Sequence, residues 1–164
     1  MTGLKEEKTM LRKNIFVAFA LTFGLAVSIP ASADPVCKAV HGRLDLAASA
    51  GPCSSPVLCA TGVLHGALKA HSEFFGTSFV PTVYTAETGV VLLTGDNTLH
   101  TTDGDIFTKD SVVFNLTGDG EFAEVDTIVG GTGEYLGASG YLQATGTFAN
   151  GVGVGAYVGK VCWQ

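Results

Sequence analysis

Thr127-Ile128-Val129-Gly130-Gly131-Thr132-Gly133-Glu134-Tyr135-Leu136-Gly137-Ala138-Ser139-Gly140-Tyr141 reads as one strand ending, a glycine-rich turn, and a second strand beginning. Thr127, Ile128 and Val129 are all β-branched, which favours extended backbone. Gly130, Gly131 and Gly133 then interrupt the run, and Gly140 leads into Tyr141-Leu142-Gln143. The same glycines could be taken for a dinucleotide-binding fingerprint. That motif needs a helix after the glycines, so that its amides point at phosphate. Here another strand follows, and the glycines are read as a structural turn.

The pattern repeats outward from this stretch. No segment sustains a 3.6-residue period; the best helical candidate, Leu44–Ala50, is short and runs into Gly51-Pro52. Strands are predicted near 62–70, 78–85, 90–99, 105–109, 111–116, 123–129, 140–148 and 152–161, each closed by Gly, Asp or Asn. Asn150-Gly151 is a two-residue hairpin signal, because both positions tolerate positive φ. Roughly eight short antiparallel strands suit a closed barrel, which leaves no exposed sheet edge. The predicted class is therefore all-β, a single eight-stranded antiparallel β-barrel over residues 34–164.

Residues 1–33 read differently. Lys5, Lys8, Arg12 and Lys13 precede the apolar run Ile15–Ile29, which ends in Pro30-Ala31-Ser32-Ala33. A basic segment, an apolar segment and small residues at −3 and −1 make a secretory signal peptide, with the cut between Ala33 and Asp34. Met10 would itself open a normal leader, so the true start could be Met10. No second run reaches spanning length, and no membrane span is expected after cleavage.

Beyond the leader the chain is anionic. The leader holds four of the 9 Lys and Arg and two of the 15 Asp and Glu, leaving 5 against 13. That balance excludes a charge-driven nucleic-acid partner. Charged residues at 15% and hydrophobic ones at 46% exclude a disordered acidic tail. Cys37, Cys53, Cys59 and Cys162 form an even set behind a leader, which reads as two disulfides in an oxidising compartment. Three pairings are possible; Cys53–Cys59 and Cys37–Cys162 are preferred, one closing a small loop and one joining the ends. Without a C-x-x-C motif or a His pair, a zinc site is not expected.

The Thr127–Tyr141 stretch, extended by Gln143-Ala144-Thr145-Gly146-Thr147-Phe148, resembles the signature shared by dirigent proteins and allene oxide cyclases. These form one superfamily of eight-stranded β-barrels, and many secreted bacterial proteins look similar. The resemblance implies the barrel, an activity of cyclase-like or stereochemistry-directing type, and a homotrimer. Where dirigent proteins carry a basic-acidic pair before the turn, this chain has Glu124 and Val125. Glu124 and Asn115 are residue types that allene oxide cyclases use, although no local motif maps them onto those roles.

Candidate site residues follow from alternation along the strands. Glu124 and Asp126 project from one face of their strand. Inside a lumen they would form an acid/base pair with raised pKa; a solvated outer edge is the commoner arrangement. Asn115 is a further catalytic candidate, and Tyr84, Tyr135, Tyr141 and Tyr157 could line an apolar pocket. Asp103, Asp105 and Asp110 could ligate calcium, but lack the usual loop register, and an acidic turn is preferred. His41, His65, His71 and His100 are scattered and read as surface or packing residues. No metal or cofactor is expected. Asn115-Leu116-Thr117 fits a glycosylation sequon, relevant only in a eukaryotic secretory pathway.

Three functions remain: a secreted or periplasmic barrel binding a small apolar molecule in its lumen, an enzyme of cyclase type, or a packed structural barrel. The first is preferred. Acids in the lumen would favour the enzyme, an apolar cavity without acids the binder, and no cavity the structural role. The secreted protein is expected to begin at Asp34 on N-terminal sequencing and to take up alkylating agent only after reduction. Free thiols in the native product would remove the two-bridge assignment.

Overall fold

The computed structural model describes residues 34–164; the leader, its cleavage point and the alternative start at Met10 lie outside the described residues. Eight antiparallel strands close into a barrel in chain order: β1 (Val36–Ala48), β2 (Cys59–Gly66), β3 (Ala70–Pro81), β4 (Val90–His100), β5 (Asp105–Asn115), β6 (Glu121–Gly131), β7 (Ser139–Ala149) and β8 (Val152–Trp163). One helical turn, α1 (Thr85–Thr88), and a 3₁₀ turn at Gly133–Tyr135 are the only helices among the described residues. β1 pairs with β8 from Val36↔Trp163 to Ala47↔Val152, so no strand edge is left open.

The count of eight matches expectation because an unpredicted strand, β1, offsets one that was expected as two, and four elements differ. β1 replaces the helical candidate at Leu44–Ala50. Its alanines favour a helix in isolation, yet Val40, Gly42, Leu44 and Leu46 keep a two-residue period, and β2 and β8 pair with it on both sides. β5 is one strand, where two were expected on either side of Asp110. An Asp in mid-sequence reads as punctuation; here the ladder runs through it, pairing Asp110 with Gly95 and with Asp126. β2 and β3 also lie several residues earlier than predicted.

Alternation is regular enough to fix which face is inside. Ile106, Thr108, Asp110 and Val112 of β5 are buried, and Phe107, Lys109, Ser111 and Val113 between them are exposed. On β8 the inward positions are Gly153, Gly155, Tyr157, Gly159 and Val161. Small residues inside make room for large ones: a Cβ on Gly42 would strike the Tyr157 ring, and one on Gly95 would strike the Phe74 ring. An eight-stranded barrel has an interior only as wide as the side chains that fill it.

The two ends differ. At the end holding both termini, Leu99, Ile106, Ile128, Ala138 and Val161 are all buried. Leu68, from the β2–β3 turn, caps this end, and its N–H donates to the Tyr157 hydroxyl at 3.0 Å. At the other end Leu58, Phe74, Phe114 and Phe148 are only half-buried. The loop after β1 is folded onto this rim by the Ser55 hydroxyl, which donates to the Gly76 carbonyl and accepts from Val57 and Leu58 N–H at 2.9 and 3.0 Å.

Both expected disulfides are present. Cys53–Cys59 closes the rim loop, and Cys37–Cys162 joins β1 to β8 across 125 residues. No described helix is long and apolar enough to cross a membrane. Two disulfides and no free cysteine indicate an oxidising, non-cytoplasmic compartment. Cross-linking the chain ends removes on the order of 4–5 kcal/mol of unfolded-state entropy in the loop-closure model. Cys37→Ser should therefore lower the thermal midpoint by several degrees, and Cys53→Ser should lower it less. Equal midpoints for wild type and Cys37→Ser would show that the end-to-end bridge adds no stability.

Candidate functional site

The lumen encloses a cavity of about 90 Å³ that reaches the rim formed by the half-buried phenylalanines. Its wall is mostly hydrocarbon: Leu44, Leu64, Leu93, Val112, Leu142 and the rings of Phe74, Phe114, Phe122 and Phe148. Five residues with polar groups interrupt it, namely Ser72, Asn97, Glu124, Asp126 and Tyr157. Such a volume accommodates a few waters or one small molecule, well short of a drug-sized ligand.

Strand register assembles the polar patch. Asp110 on β5 stands directly opposite Asp126 on β6, and Glu124 lies two residues along β6 on the same inward face. One carboxylate oxygen from each of the three lies within 4.8 Å of the others. Asp110 is 2% exposed and Asp126 6%. Glu124 keeps some exposure to the cavity. The solvated outer edge, the commoner arrangement for Glu124 and Asp126, is thus corrected: β6 turns Ala123, Val125 and Thr127 outward instead.

Support from the surroundings is partial. The Thr108 hydroxyl donates to Asp110 Oδ1 at 2.5 Å, and Ser72 Oγ donates to Asn97 Oδ1 at 2.9 Å. Asp110 Oδ2 and Asp126 Oδ1 are buried with no hydrogen-bond partner. Every Lys, Arg and His among the described residues is exposed at its own position, and Arg43 and Lys109 pair on the outer surface with Asp45 and Asp96. No base therefore offsets the acids.

Burial and mutual repulsion hold these acids protonated to unusually high pH. Desolvation, opposed in part by hydrogen bonds from Thr108 and Asn97, pushes Asp110 up to about 6. Desolvation and the charge of Asp110 push Glu124 up to about 8. Desolvation and the charges of Glu124 and Asp110 hold Asp126 well above the usual carboxylate range. The three share protons as one unit. Near neutral pH such a unit holds protons to give and has room to take one back. Its donors are all oxygen, a set that could also suit a hard cation.

The other candidates are dispersed. Asn115 sits at the rim, its amide donating to Glu121 at 3.1 Å and its oxygen accepting from Thr117 at 2.9 and 2.7 Å. It does not join the acids. Tyr84 is exposed beside α1, Tyr141 points outward, and Tyr135 packs edge-on against Trp163 at 5.6 Å at the closed end. Only Tyr157 of the four lines the cavity, its hydroxyl facing the Leu68 and His65 carbonyls at 2.9 and 3.1 Å. Asp103, Asp105 and Asp110 are also separated: Asp105 bonds His100 at 2.8 Å outside, whereas Asp110 faces in. Sequence reasoning missed Asp110, Asn97, Ser72 and Thr108 as one group. The signal lay in Thr108-Lys109-Asp110, two polar residues at inward spacing in an otherwise apolar strand.

No protein-family model matches the chain, and no curated protein matches it.

The raised acids fix the sign of one pH effect. Between the ordinary carboxylate range and about 8, the folded state holds more protons than the unfolded state, so stability declines as pH rises. His100, raised by its hydrogen bond to Asp105, acts in the same direction but is exposed and contributes little. The thermal midpoint should fall by several degrees from about pH 5 to about pH 8, and Asp126→Asn should flatten that fall. Identical slopes would mean that these acids ionise as freely in the folded chain as in the unfolded one.

Proposed function

We propose that the barrel holds a small, mostly apolar molecule in its lumen and moves a proton on it, as an isomerase- or cyclase-like enzyme. One observation carries this reading. Three acids stand together beside an apolar cavity with no basic partner. Storing a hydrocarbon needs no buried carboxyl, and burying three is costly without some return in binding or chemistry. Binding without catalysis is the reading that the apolar wall alone supports.

The chemistry needs no co-reactant. Glu124, still protonated near neutral pH, gives its proton to one atom of the bound molecule. A proton leaving the atom two positions away returns to the emptied carboxylate as the double bond shifts between them, so the product is an isomer and the acids end as they began. Asp110 and Asp126 spread the transient charge through the cluster. The hydrocarbon wall excludes water and fixes orientation, which is itself a large part of the rate effect in such reactions. The resemblance of the Thr127–Tyr141 stretch to dirigent proteins and allene oxide cyclases supports a lumen used in this way. It also implies three copies per assembly and, with the leader sequence, secretion or a periplasmic location.

Native mass spectrometry of protein purified from an oxidising compartment tests the binding step. Wild type is expected to release a small molecule on denaturation, and Ala60→Trp, which fills the cavity near its rim, is expected to release none. Equal release by both would place the molecule outside the lumen. In heavy water the released molecule should gain deuterium at carbon when returned to wild type, and at least tenfold more slowly with Glu124→Gln, a loss of the size expected for a general acid. Equal uptake would reduce the function to binding.

A further inference from the structure

Resting on the lumen reading above, we infer that the molecule the barrel takes is an organic cation: a small amine whose ammonium group sits against Asp126, with Glu124 left to hold its proton, and whose hydrocarbon body fills the apolar cavity. Several independent features converge on that class. Asp126 lines the cavity, and its Oδ1 is an acceptor without a donor, in a residue that is 6% exposed. A second buried acceptor without a partner, Asp110 Oδ2, belongs to the same cluster. Buried acceptors of this kind are nearly always satisfied in folded proteins; the protons the acids share among themselves cover part of that need, and a ligand donor at the cavity would cover the rest. An ammonium group is all donor.

Charge points the same way. Among the described residues the three acids have no cation beside them, since all Lys, Arg and His there are exposed and the ion pairs of Arg43 and Lys109 lie outside. An alcohol would supply one donor and no charge, and a carboxylate would add repulsion to a site already crowded with acids. Phe74, Phe114 and Phe122 line the same cavity, and aromatic rings of this kind attract a cation that meets their faces. The exterior of residues 34–164 is itself anionic, so cations are concentrated and anions depleted at the rim. A bare metal ion would use the oxygens but leave the hydrocarbon wall without a purpose.

Isothermal titration calorimetry on the disulfide-bonded protein separates these chemistries with hexylamine, 1-hexanol, hexanoate and calcium chloride as probes. Hexylamine should bind at least about tenfold more tightly than 1-hexanol, the size of one charge-assisted hydrogen bond, and hexanoate should be weakest. Asp126→Asn should remove that preference and leave 1-hexanol binding unchanged, which also reports that the variant lumen is intact. Equal affinities for hexylamine and 1-hexanol in wild type would overturn the cation assignment and leave the apolar-lumen reading standing. Failure of all three organic probes would overturn both. Calcium that binds and displaces hexylamine would make the cluster a metal site and overturn the inference.

Discussion

Closure of eight strands into one ring is the constraint on which everything else rests. Once β8 pairs with β1 along Val36–Ala47, the interior has a fixed and narrow bore. Every inward side chain must then share that bore with those across from it. This is why Gly42 stands under Tyr157 and Gly95 under Phe74: a methyl group at either glycine would collide with a ring. The same narrowness brings side chains from three or four strands within a few ångströms of each other. Asp110, Glu124 and Asp126 are neighbours because the ladder between β5 and β6 leaves them no other place.

Filling is uneven along the bore, and that unevenness makes a site. Leu99, Ile106, Ile128, Val161 and the capping Leu68 pack the end that holds both termini. The opposite end keeps a cavity ringed by half-buried aromatic groups and by the loop that Ser55 and Cys53–Cys59 hold in place. The acids stand where the packed region gives way to the cavity wall. Their desolvation works against folding, while the Cys37–Cys162 bridge and the closed ladder work for it. Buried, partly unsatisfied acids lower local stability, and in proteins such departures from local consistency concentrate at functional or strained sites.

The places where sequence reading went astray are informative for the same reason. Asp110 split one strand into two on paper, because an acid in a short β run ordinarily marks a turn. It lies instead in the middle of β5, buried, next to Thr108. The residue that broke the pattern is part of the candidate site. At Leu44–Ala50 the error was different: local helix preference was overridden by pairing with two strands distant in sequence. Glu124 and Asp126 were identified as a same-face pair, but one strand alone gives no reason to prefer inside over outside.

The sequence alone determined the all-β class and the parity of the residues along most strands; it favoured a closed eight-stranded ring from a count that lacked β1 and split β5, and it preferred, among three possible pairings, the two disulfides that are present. Those follow from local chemistry: β-branched runs, glycine and asparagine punctuation, a two-residue period, and an even set of cysteines. Only the tertiary structure decided which parity faces inward, that Asp110 joins Glu124 and Asp126, that Asn115 and three of the four tyrosines stand apart, and that one end is open. Such facts depend on register between strands and on complementary volumes across the bore. Neither is carried by any single segment, because a side chain's burial and its pKa are set by neighbours that the chain reaches only after the ring has closed.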